Sequence, residues 1–234
     1  MQYNYNHIFL ENRQISNTSA IRWSCFTAMV IGIAWIFTLF HIISVPALAF
    51  QIIAPVSIFI LLLPAVVNHL MHLSDILLVG SKGINLLTGL ILGCNLTAVF
   101  LLSSTLSHYA SIIWLLPTLI ACQYYSKRIT SHIFWGGLAG MILSFYASIY
   151  LGSKDMNLSA LSIVSGDFTA ASIGKALVYL ISELLIYCAA YPLFMNITKR
   201  TELLMKKQKL SMLAYQAKQT LDHLEELPDT YITD

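Results

Sequence analysis

The chain has 234 residues, of which 57% are hydrophobic and 10% charged, with a formal net charge of +2 and a mean hydropathy of +0.72. A soluble domain carries about 25% charged residues, so this composition leaves too little polar surface to solvate a globule of this size. Lipid must be the solvent for much of the chain, and nothing in the charge balance points to a nucleic-acid partner.

The residues predict an all-α polytopic membrane protein with about six transmembrane helices and a C-terminal cytoplasmic helix. A crossing needs about 20 mostly apolar residues. Six such stretches cover residues 23–44, 45–70, 84–104, 108–124, 132–151 and 173–195. Short alternating strands, the mark of a barrel, are not seen, so helices are the expected elements. The chain then divides into a cytoplasmic N-terminal segment (1–22), a six-helix membrane domain (23–195) and a cytoplasmic helical tail or linker (196–234). The first boundary is the least marked, a very short turn over residues 41–45 followed by Pro46.

Lys and Arg placement sets orientation. Arg13, Arg22, Lys82, Lys127, Arg128, Lys199, Arg200, Lys206, Lys207, Lys209 and Lys218 fall on one side of a six-crossing arrangement, and only Lys154 and Lys175 on the other. Both termini are therefore expected in the cytoplasm, with the helices in a bacterial cytoplasmic membrane. The outer segment 152–172 is the longest outer connection and the one large enough to form a lid.

Within the stretches, Gly136, Gly140, Ser144 and Ser148 recur every four residues, and Gly89 and Gly93 repeat that spacing. Such stripes let another backbone approach closely. Trp23, Trp114 and Trp135 suit interfacial belts, and the four cysteines (Cys25, Cys94, Cys122, Cys188) read as small buried hydrophobes. Glu183 is the acid placed deep in a predicted crossing, where a charge is costly; it is a candidate for ligand binding or proton linkage, with Tyr179, Ser182 and Tyr187 on the same helix as hydrogen-bond donors. A structural interhelical hydrogen bond is the other reading. His69, His72 and Asp75 are spaced as weak metal-ligand candidates, although a polar juxtamembrane cap fits as well. Pro192, between Glu183 and the tail, is either a hinge or a helix end. No nucleophile triad, Walker motif or dinucleotide glycine pattern occurs, so no enzymatic activity and no cofactor are implied.

Residues 196–227 turn polar and helix-favouring. Leu203, Leu210, Ala217 and Leu224 recur every seven residues, with Lys206 and Thr220 interrupting the stripe. This predicts a helix continuing from the sixth crossing with a weak heptad seam, suited to a homodimer. An amphipathic helix on the membrane is the alternative, its basic half meeting anionic headgroups.

Three stretches carry a resemblance: Asn12-Arg13 ahead of the Trp-bearing first crossing; Leu116-Pro117 through Tyr124-Tyr125-Ser126-Lys127-Arg128; and Thr198-Lys199-Arg200-Thr201-Glu202-Leu203-Leu204. Together they resemble the six-helix membrane sensor regions of bacterial, Firmicutes-type signalling proteins, in which such a linker leads to a diguanylate cyclase, phosphatase, histidine kinase or chemoreceptor output. The resemblance implies a sensor that passes a rearrangement to an output domain or a partner, with the bilayer and a small apolar or amphipathic ligand as its surroundings. No GGDEF run, His-box or kinase ATP motif occurs in these 234 residues. The alternative expectation is a small-solute transporter or its substrate-binding membrane subunit.

Overall fold

The computed structural model describes residues 2–40, 47–73, 81–106, 112–151 and 170–225. These residues are almost entirely helical, with no strand among them. The helices are α1 (Gln2–Leu39), α2 (Ala47–Leu73), α3 (Ser81–Leu106), α4 (Leu115–Cys122), α5 (Lys127–Leu151) and α6 (Ala170–Glu225). Apolar runs without water as a partner satisfy their backbone only as helices, and the long Leu-, Ile- and Val-rich stretches do so here.

Successive helices alternate in direction. The Met71 end of α2 packs beside Ala20 and Ile21 of α1 and Ile84 of α3, while its Phe50 end packs beside Ala28 and Ile31 of α1 and Leu102 of α3. So α2 runs opposite to α1 and α3. Trp114 meets α5 at Gly140, and the Ala121 carbonyl accepts from Thr130 Oγ1, so α4 opposes α5. The pairs Thr130–Thr198 and Phe134–Tyr191 reverse α6 against α5. Ser16 donates to the Gln123 carbonyl, bringing the start of α1 to the end of α4. The start of α1 and the point where α6 leaves the bundle, near Thr198, therefore lie at the same end.

Two buried polar rungs join the parallel helices α1 and α3. Thr88 Oγ1 donates to Asn17 Oδ1 at 3.0 Å, and Asn95 Nδ2 donates to Ser24 Oγ at 2.8 Å. Each rung is one heptad from the other on both helices, the repeat that keeps two helices facing each other under a shallow left-handed crossing. Asn17, Ser24 and Asn95 are fully or almost fully buried. The helix α1 is continuous from Gln2 through Trp23, and Ser16, Asn17, Ala20 and Ile21, ahead of the first expected crossing, are buried against the other helices.

Four helical stretches are long and apolar enough to cross a membrane: Asn12–Leu39, Phe50–Leu73, Lys82–Thr105 and Leu180–Leu221. The expected fourth and fifth crossings are not among these four. The apolar helical stretch over Ile112–Cys122 is about 16 Å long, against a hydrocarbon core of about 30 Å, and residues 107–111 lie outside the described set. The helix α5 has length enough at 25 residues, but Gly, Ser, Thr and His dilute its hydropathy. Pro117 lies in the first turn of α4, where a missing N–H leaves no helical bond unmade. The outer segment expected to serve as a lid falls almost wholly outside the described residues, as do Lys154, Asp155 and Asp167.

Close packing centres on α5. A Cβ at Gly140 would lie 2.6 Å from the Trp114 ring, and a Cβ at Gly137 would overlap the Tyr187 hydroxyl. Gly136 makes only ordinary contact with Leu96. Ser144 shares a hydrogen bond with Ser103, and Ser148 is buried. Among the described residues Gly89 and Gly93 make no close packing within the chain: a Cβ at either meets nothing within 4 Å, and both are exposed. Trp114 is likewise not a belt residue. It is 1% exposed and its indole donates to Ser103 Oγ, whereas Trp23 and Trp135 face outward.

Gly137→Ala is expected to lower stability by about 1–3 kcal/mol, because the Tyr187 phenol it meets is held by its stack on Phe134 and by two hydrogen bonds. Gly89→Ala should leave stability within about 1 kcal/mol. Thermal denaturation of the two variants in detergent compares them directly.

Candidate functional site

The inward stripe of α6 runs through Leu180, Glu183, Leu184, Tyr187, Tyr191, Phe194 and Thr198. It is the stripe that meets α4 and α5. Tyr187 is its centre. The phenol is 1% exposed and stacks on Phe134 with ring centroids 4.6 Å apart and planes 6° from parallel. Its hydroxyl donates to the Phe134 carbonyl at 3.2 Å and shares a 3.0 Å hydrogen bond with Thr118 Oγ1. One side chain thus bonds to α4 and α5 from α6, and Gly137 supplies the room.

About three turns further along α6, a second polar node closes the same end. Thr198 Oγ1 donates to the Phe194 carbonyl and lies 3.1 Å from Thr130 Oγ1, which also reaches the Ser126 and Ala121 carbonyls. Cys122 Sγ points at the same Phe194 carbonyl. The α4–α5 turn beside this node contains Tyr125 at φ 54°, a left-handed conformation unusual for a bulky residue. Tyr124, beyond the end of α4, is buried, and that burial pushes its phenol above the usual tyrosine range, with the Arg13 guanidinium pulling the other way. The turn therefore touches α1 through Ser16, and α6 through Thr130 and Thr198.

The predicted site residues separate. Glu183 is half-buried on the inward stripe, one turn from Tyr187, and is engaged by a neighbour. Ser182 faces outward and donates to its own helix at the Val178 carbonyl. The Tyr179 side chain lies outside the described residues. Pro192 is exposed and does not end its helix, which runs on to Glu225; its ring deprives the Cys188 carbonyl of a helical donor. His69 and His72 are exposed near the end of α2, and Asp75 lies outside the described residues. Among the described residues no three His, Cys, Asp or Glu side chains gather as a metal site.

Beyond Thr198 the helix leaves the bundle. Leu203, Leu204, Leu210, Leu213 and Leu221 are 49–67% exposed, and Ala217 is exposed too. The Leu224 side chain lies outside the described set. A 2.9 Å ion pair joins Lys206 to Glu202 along this stretch.

Sequence reasoning missed the Tyr187–Gly137 seat and the Asn17 and Asn95 rungs. Two left a signal: a Gly-Gly pair with an aromatic-rich α6, and Thr88 and Asn95 seven residues apart inside an apolar run; Asn17 lies among polar residues and left none. No family, no curated protein and no solved structure matches the chain. The class defined by its own residues is a helical protein with several membrane-compatible helices, one of which extends well past the bundle.

Tyr187→Phe keeps the stacked ring and removes the shared hydroxyl, an expected loss of about 1 kcal/mol. Combined with Gly137→Ala, the loss should be less than the sum of the two, because the deleted oxygen is the atom that a Cβ at Gly137 would strike. Denaturation midpoints of the single and double variants complete the cycle.

Proposed function

We propose that this chain is the membrane sensor and transducer module of a bacterial signalling protein, with six crossings and both ends in the cytoplasm. The short α4 then completes its crossing with residues ahead of Ile112. Alternating helix directions support an even number of crossings, and the end of the bundle bearing Arg13, Lys82, Lys127, Arg128, Lys199 and Arg200 is the basic, cytoplasmic end.

The observation that carries the reading is α6. It is 56 residues long, or about 84 Å at 1.5 Å per residue. One face is locked to α4 and α5 through Tyr187 and Thr198, and the helix continues outward with its leucines uncovered. A lone helix in water gains little without a partner for its apolar stripe. It also projects as a continuation of a membrane helix, which disfavours lying flat on the bilayer.

The partner that fits is a second copy of the chain. Counting back in sevens from Leu203 gives Asn196, Ala189 and Ser182, and all three are exposed. The seam changes from small and polar residues inside the bilayer, where close approach and hydrogen bonding drive association, to Leu203, Leu210, Ala217 and Leu224 in water. Parallel packing on this register also sets Glu202 of one copy near Lys207 of the other. Lys206 and Thr220 weaken the seam, which keeps two arrangements of the tail close in energy. A small apolar or amphipathic ligand, or the state of the bilayer, shifts such a balance only through its differential affinity for the two arrangements. Glu183 on the inward stripe and the Pro192 hinge are where that bias enters α6. Transport, the rival reading, has no use for so long a projecting helix.

Single cysteines at Leu203 and Leu210 should cross-link between copies in native membranes, and a cysteine at Gln208, off the seam, should not. Equal labelling without cross-links at both seam positions would contradict the dimer. Glu183→Gln should alter the response at normal expression.

A further inference from the structure

On the outer face of α1, Gln14, Ile15, Thr18, Ser19 and Arg22 line a groove of about 370 Å³. The lining contains one cation and no acid. Arg22 is exposed and forms no ion pair among the described residues. Its depth makes that notable. Ser16 and Asn17 are level with Gln123 and Ile84, at the end of the bundle where Lys82, Lys127 and Arg128 gather. Arg22 lies five residues further in, about 8 Å deeper along the helix.

Helical side chains lean toward the N-terminus, so the Arg22 guanidinium reaches back over Thr18 and Ser19 toward the basic end. A lipid-facing guanidinium at this depth needs an anionic partner or a route to the headgroups. The groove offers the route, and its lining supplies no anion, which leaves the place of the partner open. Thr18 already spends its hydroxyl on the Gln14 carbonyl, which leaves the Ser19 hydroxyl and the Gln14 carboxamide as neutral donors beside the charge. Ile15, 62% exposed, and Trp23, 49% exposed, flank the groove with apolar surface.

We propose that this groove binds the phosphate of a membrane phospholipid, with Arg22 as its bidentate anchor, Ser19 and Gln14 as further donors, and Ile15 and Trp23 against the acyl chains. A guanidinium matches two phosphate oxygens at once, which an ammonium does not. The apolar flanks select a lipid over a soluble phosphate. The inference rests on the membrane reading of α1, and it is independent of signalling.

The test is native mass spectrometry of the full chain released from detergent after stepwise delipidation, with alkaline extraction of membranes run in parallel to confirm integration. Wild type should keep about one phospholipid. Arg22→Gln should lower its retention about tenfold, the loss of one charge-assisted contact, Arg22→Lys should fall between the two, and Lys207→Gln, out on the tail, should behave as wild type. Retention by Arg22→Gln equal to wild type would overturn the proposal, as would a wild type that holds no lipid. Displacement of the lipid by millimolar inorganic phosphate would also overturn it, by making this a soluble-anion site. Failure of alkaline extraction to leave the protein in the membrane would instead remove the membrane reading itself.

Discussion

The contact on which the rest depends is the seating of the Tyr187 phenol in the gap left by Gly137. An aromatic ring brings α6 to α5, but only a residue without a Cβ lets it close to stacking distance with Phe134. Once seated, the hydroxyl satisfies itself on α4 and α5 together. In an apolar environment that satisfaction matters, because an unpaired hydroxyl there costs more than the bond returns in water. The Thr130–Thr198 pair repeats the joint about three turns along. Two attachment points fix a helix's axis and its rotation, so the direction in which the exposed tail leucines face is set by contacts made inside the bundle.

Polar side chains play the same part on the other side of α3. Helices α1, α2 and α3 share two apolar clusters, the first of which also takes in Ile120 and Ala121 of α4 and Tyr124 beyond it, and α4, α5 and α6 share a third with α3. The rungs at Asn17–Thr88 and Asn95–Ser24 fix the register of α1 on α3. The turn over residues 123–126 then links the halves, since it meets Ser16 of α1 and supports the Thr130 node beside α6. The turn therefore contacts both α1 and the node at the base of the tail. Under the sensor reading, this is the shortest physical route from the lipid-facing first helix to the projecting one.

Much of this was legible in the residues, for reasons of solvent and period. Long apolar runs announce membrane-compatible helices, and α2 and α3 lie close to where hydropathy put them. Glu183 stood out because an acid in an apolar run is conspicuous. Asn95 did not, although an amide in an apolar run is constrained by the same physics, and Asn17 lay outside the expected crossings. The small-residue stripes were read by spacing alone, which does not say which way a helix is turned. So Gly140 found its neighbour, Gly89 and Gly93 face away, and Gly137, one position off the stripe, is the glycine under greatest constraint. Trp114 was placed in a belt by residue type, whereas its indole finds a buried hydroxyl instead. The described part of the fourth apolar stretch begins at Ile112, so the structure bears on its second half alone.

A disulfide between residues 130 and 198 tests the central claim most directly. In the double variant Thr130→Cys, Thr198→Cys, the two sulfurs take the places of hydroxyl oxygens 3.1 Å apart. The account expects rapid oxidation to a bond within one chain, and slower oxidation when Gly137→Ala is added, because the seat of Tyr187 holds that end of α6 in place. No intrachain bond, or a rate indifferent to Gly137→Ala, would contradict the packing of α6 on which the transducer account stands.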